Sequence, residues 1–343
     1  MKWSNISQLA FCTLTGVVAL QPIERSAQAI VINDTAGAET ARMLGAPLTS
    51  VTEIFIGGGF CSGALMAQFY VITAQHCIFG EEAGDVAVRF RDSNPLNTLI
   101  EEISVTNIFE IDATNDLLDG TDVAILELSS PSPEFITPLR FLDDVGDLVG
   151  STATTVGFGW NGVGSVGHQF TRDGLRWGAE NVIDLFNGAA LNGTADEVGF
   201  YSIYARDDTA ASQYGITIPD TSNIFSTDFD NGTAENNTMV AFGSSALPLT
   251  NEGTTAPGDS GSPLLVNFND EWLIAGVLSG GTTFTSEYGD ISWWTGTQEH
   301  RSFIEQLGGE FASVPEPSSA LALITVGALG TSMGWTRKRQ HNS

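Results

Sequence analysis

The sequence is poor in positive charge. Against 41 Asp and Glu it sets 13 Lys and Arg, a formal net charge of −28 over 343 residues. Its lysines are Lys2 and Lys338, so between residues 30 and 314 every Lys-or-Arg position is an arginine. Such a surface repels polyanions, which argues against a nucleic-acid partner and against binding to anionic headgroups. Salt relieves its self-repulsion, so high ionic strength is expected to be tolerated. Cysteine is scarce as well: Cys12, Cys61 and Cys77 are the full set of 3. Helical periodicity is nearly missing too. Instead, short runs rich in Val, Ile, Thr and Phe alternate with turns drawn from 38 glycines and many Asn, Asp and Ser, which predicts an all-β architecture. A hydrophobic content of 42% is ordinary for one large domain or two small ones.

The two ends read as addresses rather than as fold. Residues 1–29 carry Lys2, an apolar core from Leu9 to Leu20 and the small-x-small stretch Ala27-Gln28-Ala29. That is the pattern of a secretory signal, its core too short to span a bilayer. Cys12 goes with it. At the other end, Val314-Pro315-Glu316-Pro317 precedes an apolar run over 320–335 and then Arg337-Lys338-Arg339. This tail, 313–343, resembles the PEP-CTERM sorting signal of exosortase-bearing bacteria. The resemblance implies an exosortase-type processing partner and a cell-surface or extracellular fate. An apolar helix with basic residues at its cytoplasmic end would halt export, so a transmembrane helix and a transient inner-membrane anchor over 320–335 are expected.

Between the two ends, three stretches carry chemistry. Gly258-Asp259-Ser260-Gly261-Ser262-Pro263-Leu264-Leu265 flanks a serine with glycines, which lets the backbone turn sharply and lets a carbonyl approach the main chain. A serine hydroxyl attacks only with a base to take its proton and an acid to orient that base. Thr73-Ala74-Gln75-His76-Cys77 supplies a His after an apolar run, and Asp122-Val123-Ala124-Ile125-Leu126-Glu127-Leu128 supplies an Asp at the head of a strand-like run. Singly, each has a bland explanation as a structural histidine, a strand cap and a turn serine.

In that order, TAQHC, DVAILEL and GDSGSPLL resemble the trypsin/chymotrypsin family of serine proteases, over roughly residues 30–310. The resemblance implies two six-stranded antiparallel β-barrels with a C-terminal helix, over 30–312. It implies His76 as base, Asp122 as its orienting acid, Ser260 as nucleophile, and an oxyanion hole from the N–H groups of Gly258 and Ser260. The first barrel is expected to include strands at Phe69–Ala74, Val86–Phe90 and Ile100–Ile108. Ala153–Trp160 and Trp272–Gly281 belong to the second, and Thr297–Leu307 is the one convincing helix. Two cysteines in an exported domain most simply pair. In the resembled family a disulfide joins the places that Cys61 and Cys77 occupy, worth about 3 kcal/mol for so short a loop. The stretch before Gly258 is longer than in compact relatives, and the excess is expected as surface loops over 164–249.

The resemblance also implies a substrate pocket. Its floor would be Thr254, six residues before the nucleophile, bordered by Ser279-Gly280-Gly281 and, on the opposite wall, Gly289. With no carboxylate at Thr254, a preference for Arg or Lys is not expected; a medium or large apolar side chain would fit. Cleavage after Ala29 would expose Ile30-Val31, and in the family such an amino terminus pairs with the Asp before the nucleophile, here Asp259. Asp228-Phe229-Asp230-Asn231-Gly232 misses the usual calcium-loop spacing and reads as a solvated acidic turn. His168, His300 and His341 read as surface residues. Neither metal nor cofactor is called for. The function implied is a secreted serine endopeptidase acting on protein or peptide substrates through an acyl-enzyme; the alternative is a catalytically silent module in adhesion or matrix assembly.

Overall fold

A computed structural model describes residues 30–94, 96–111, 117–145, 148–186, 223–239 and 247–312. The expected signal, the sorting tail, Cys12, His341 and much of the long insertion lie outside the described residues.

The chain opens with β1 (Ile30–Ile32) and a helix the sequence reading did not anticipate, α1 (Ala38–Gly45). Its Ala, Glu, Arg, Met and Leu are good helix formers. At its end Gly45 packs so close to β-strand backbone that an added Cβ would lie 2.7 Å from the Arg176 carbonyl. Next come β2 (Val51–Ile56), β3 (Gly59–Ala67) and β4 (Tyr70–Thr73), the single turn α2 (Gln75–Ile78), then β5 (Val86–Arg91), β6 (Leu99–Glu110) and β7 (Ala124–Leu128). These strands close into a six-stranded barrel in the order β2-β3-β4-β7-β6-β5. The period-2 pattern is visible in β5, where Val86, Val88 and Phe90 are buried while Ala87, Arg89 and Arg91 face outward. Ile54, Leu65, Val71, Ile103 and Leu126 complete the barrel's apolar interior.

The second half runs through β8 (Arg140–Leu142), β9 (Thr152–Gly157), β10 (Asn161–Val163), β11 (Gly167–His168), β12 (Trp177–Val182), β13 (Leu185–Phe186), β14 (Ile224–Asp228) and β15 (Gly253–Thr254). It ends with β16 (Pro263–Phe268), β17 (Glu271–Gly281), β18 (Ile291–Gly296), the helix α3 (Arg301–Gln306) and β19 (Phe311–Ala312). Its main sheet follows the order β12-β9-β16-β17-β18-β14-β13, with β8 attached at β17 and β19 at β8. The all-β, trypsin-like double-barrel expectation therefore holds, with the second half a curled half-barrel sheet among the described residues and the expected helix at its end. A smaller sheet, β11-β10-β1-β15, ties the start of the chain to the second half.

One apolar cluster joins the halves. Val51, Ala64, Met66 and Ile72 of the first barrel pack with Phe141, Phe158, Leu265, Ile274, Val277 and Ile304 of the second. At about 1.5–3 kcal/mol for each large buried side chain, this seam outweighs any exposed ion pair, worth about 0–1 kcal/mol.

The expected transmembrane helix is corrected. No helix among the described residues is long and apolar enough to cross a membrane. The 320–335 stretch lies outside the described residues, and with interior glycines it is shorter than the roughly 20 apolar residues a hydrocarbon core requires.

Candidate active site

His76 sits in α2, the turn that ends β4. Asp122, almost fully buried just before β7, holds it twice: Oδ1 accepts the His76 main-chain N–H at 2.8 Å, and Oδ2 lies 2.8 Å from Nδ1. Two bonds from one carboxylate fix both the backbone and the ring, and a carboxylate on Nδ1 favours the tautomer with its proton there, leaving Nε2 free to accept. β4 pairs with β7, Thr73 opposite Ala124, so the sheet itself sets the spacing of the pair. The disulfide between Cys61 and Cys77 pins the residue after His76 to β3.

Ser260 belongs by sequence to the second half, yet its turn is bonded to the first barrel. The Ser62 N–H donates to the Ser260 carbonyl at 2.8 Å, and the Ser62 hydroxyl donates to the Gly258 carbonyl at 3.0 Å. A Cβ on Gly261, whose φ is +82°, would strike Thr73 Oγ1 at 2.2 Å and Ala74 N at 2.9 Å. The serine turn is thus packed onto the residues leading into His76. No hydrogen bond joins Ser260 Oγ to His76 Nε2 among the described residues. Within the turn, the N–H groups of Asp259, Gly261 and Ser262 donate to Ala256, Leu278 and Asp259 carbonyls. Those of Gly258 and Ser260 have no protein acceptor among the described residues. Gly258 adopts φ +97°, and a Cβ there would fall 2.0 Å from the Phe60 ring, so no other residue fits.

Asp259 is fully buried. Its Oδ1 accepts the Gly159 N–H at 2.7 Å and its Oδ2 the Ala256 N–H at 2.9 Å. Burial pushes its pKa up to about 7, and the two amides with the charge of Arg172 only partly offset this. The sequence-expected partner Ile30 is buried and paired with Asn161, while Val31 pairs with Thr254; no contact of Ile30 with Asp259 is described. Ile30 holds φ +60°, a strained conformation for a β-branched residue. Beside it the Asn161 amide is buried with neither polar atom hydrogen-bonded.

Of the expected pocket residues, Thr254 and Ser279 are buried. Thr254 Oγ1 lies 3.0 Å from Ser292 Oγ, and Ser279 Oγ 2.8 Å from Thr295 Oγ1. Gly281 stands opposite Ser292, and Gly280 opposite Trp293, because a bulge between Leu278 and Gly280 shifts the register of β17 on β18. Gly289 lies in the turn before β18, its N–H donating to the Phe229 carbonyl at 2.6 Å.

Two further expectations are corrected. Asp228 and Asp230 are not solvated but buried, together with Asp184 and Glu252. The Asp228 N–H donates to Asp184 Oδ2 at 2.9 Å, and Asp230 N–H to Glu252 Oε1 at 2.8 Å. Burial raises the pKa of Asp184 and Asp228, reinforced for Asp184 by the Asp228 charge and for Asp228 by that of Asp230, and it raises Glu252 to about 7. His168 is likewise buried, packed among Trp160, Phe170 and Phe284, with burial lowering its pKa. His300 is partly buried, its Nε2 2.7 Å from the Gly120 carbonyl. No cluster of metal-ligating side chains is found among the described residues.

The fold is trypsin-like, with the His76–Asp122 pair in the first half and the serine turn of the second half packed on the residues leading into His76. Residues 37–176 match the Trypsin family and residues 313–339 the PEP-CTERM protein-sorting motif. A protein named Trypsin from Saccharopolyspora erythraea is 32% identical over 126 residues, 36% of this chain and 54% of that relative. The chain thus spans about half the length of this relative. The segment matched to the Trypsin family includes His76 and Asp122 and ends before Ser260, and these likenesses support a serine protease at the level of the family.

Proposed function

We propose that the chain is a secreted serine endopeptidase, with residues 1–29 a removed signal, 30–312 the protease domain and 313–343 a sorting tail. The observation that carries this is the double anchorage of His76 on buried Asp122, which fixes both the backbone and the ring of the proposed base beside the serine turn. His76 Nε2 takes the proton of Ser260 Oγ as that oxygen attacks a peptide carbonyl, and the C–N bond breaks as Nε2 returns the proton to the leaving amine. Water then repeats the sequence on the acyl-enzyme. Asp122 holds Nδ1–H and stabilises the imidazolium. The unpartnered N–H groups of Gly258 and Ser260 receive the oxyanion, where losing one donor costs about 3–4 kcal/mol. The Ser260 Oγ to Nε2 hydrogen bond would form in the complex with substrate.

Cleavage after Ala29 would also activate the enzyme. The φ of Ile30 is fixed by its bond to residue 29, so cutting that bond removes strain on the order of 1–3 kcal/mol. The new ammonium would lie at Asn161, two residues beyond Gly159, whose amide meets Asp259. Amino-terminal sequencing of the mature protein should read Ile-Val; a start elsewhere sinks this step. The tail match supports export to the cell surface or beyond, with exosortase-type processing.

The test of the main proposal is labelling with a fluorophosphonate probe. Wild type should label, and Ser260→Ala and His76→Ala should not. A folded, disulfide-bonded mature protein that fails to label would instead favour a silent module in adhesion or matrix assembly.

A further inference from the structure

The chain's few cations are not spread evenly. Arg89, Arg91 and Arg172 converge on the fully buried Glu53 of β2: Arg91 Nη2 lies 2.8 Å from Oε2, Arg89 Nη1 3.7 Å from Oε1, and Arg172 Nη2 bonds Oε1. Arg89 also donates to Glu102 at 2.6 Å and Arg91 to the Asn97 carbonyl at 3.1 Å. Glu53 is the one polar partner described for Arg172. Its guanidinium lies 3.9 Å over the ring of Phe60, and that ring fills the space a Gly258 side chain would need. Arg172 therefore stands one aromatic ring from the proposed oxyanion hole, its side chain 22% exposed.

The side of the cleft follows from proton transfer. His76 must protonate the leaving amine, so the leaving segment departs on the side of His76, Cys77, the disulfide and Phe60. The acyl segment lies toward Ser279–Gly281, on the other side of Ser260. We propose that Arg172, stacked on Phe60 and held by Glu53, is a positioning residue that selects substrates with a carboxylate in the leaving segment. This rests on the endopeptidase reading above. Three arginines gather here, on Glu53 and Glu102, in a chain with 13 Lys and Arg in all. Long-range repulsion from the remaining acids is screened beyond about 8 Å at physiological salt, so the nearby guanidinium decides. The carboxylate can come from an Asp or Glu side chain or from the substrate's free carboxy terminus.

Matched fluorogenic peptides with one acyl segment and Asp, Asn or Lys in the first three leaving positions test this, each with a free or amidated carboxy terminus. Wild type should cleave Asp over Lys peptides with on the order of tenfold higher kcat/KM, the gain expected from one partly exposed charge-assisted bond. Arg172→Gln should flatten the ratio and Arg172→Glu invert it, with fluorophosphonate labelling kept. Loss of preference on amidation alone would assign the carboxylate to the terminus; its persistence assigns it to the side chain. Raising salt should shrink the wild-type ratio, a readout independent of any variant's folding. A wild-type ratio near one, a ratio indifferent to salt, or a preference unchanged in labelled Arg172→Gln would each overturn the proposal. No cleavage together with no labelling would overturn the endopeptidase reading itself.

Discussion

The two halves bury acids in opposite ways. In the first barrel, burial alone would raise the pKa of Glu53, yet hydrogen bonds and charge from Arg91 and Arg172 more than reverse it and the carboxyl ends below its usual value. Asp122 has His76. In the second half, Asp184, Asp228, Glu252, Asp259 and Asp290 are buried against main-chain amides, hydroxyls and one another, and burial raises all of them. An acidic sequence can thus place carboxyls inside a fold with cations or with protons. Glu53 is held by paired charge, and the buried acids of the second half are expected to respond to pH.

That contrast can be broken from either side. The largest effect is expected at the cleft: Asp122→Asn should lower kcat by about 10⁴-fold while leaving the fold intact, because the amide no longer enforces the Nδ1–H tautomer. Steady-state kinetics with active-site titration checks it. Next, Glu53→Gln leaves three arginines crowded without their anion, and a lost buried partner costs about 3–5 kcal/mol; denaturant unfolding should show it. Cys61→Ser with Cys77→Ser removes a tie across 16 residues, about 3 kcal/mol by chain entropy. The smallest change is expected in the second half. Carboxyls with raised folded pKa values bind protons that the unfolded chain has released, so their contribution to stability falls as pH rises from about 4. The fall extends through about 6 for Asp290 and about 7 for Asp259 and Glu252. Asp184→Asn, which can still accept the Asp228 N–H, should raise the thermal midpoint at pH 8 and leave it little changed at pH 5. An equal shift at both pH values would show that Asp184 is not protonated in the fold.

The first barrel was legible because its strands obey simple alternation and its motifs carry fixed neighbours; β5, β6 and the His76 turn fall where Val86–Phe90, Ile100–Ile108 and TAQHC predict. The second half was legible at its strands and closing helix and obscure at its walls. The short length of α1 hid it, and partners far away in sequence hid the burial of Asp228 and His168. An Asp in a run of Asp, Asn and Gly looks solvated until the strand beneath it turns inward. The disulfide was legible because so few cysteines were left to choose from.

Ser62 has a consequence for the life of the chain. Its backbone and hydroxyl, on a first-barrel strand, clasp the turn that carries Ser260, while the same hydroxyl accepts the Phe158 N–H from the second half. The three residues of the proposed triad come into register only when both halves have closed on each other. A chain crossing a membrane unfolded would be harmless to its producer, its chemistry beginning only once assembly is complete on the far side.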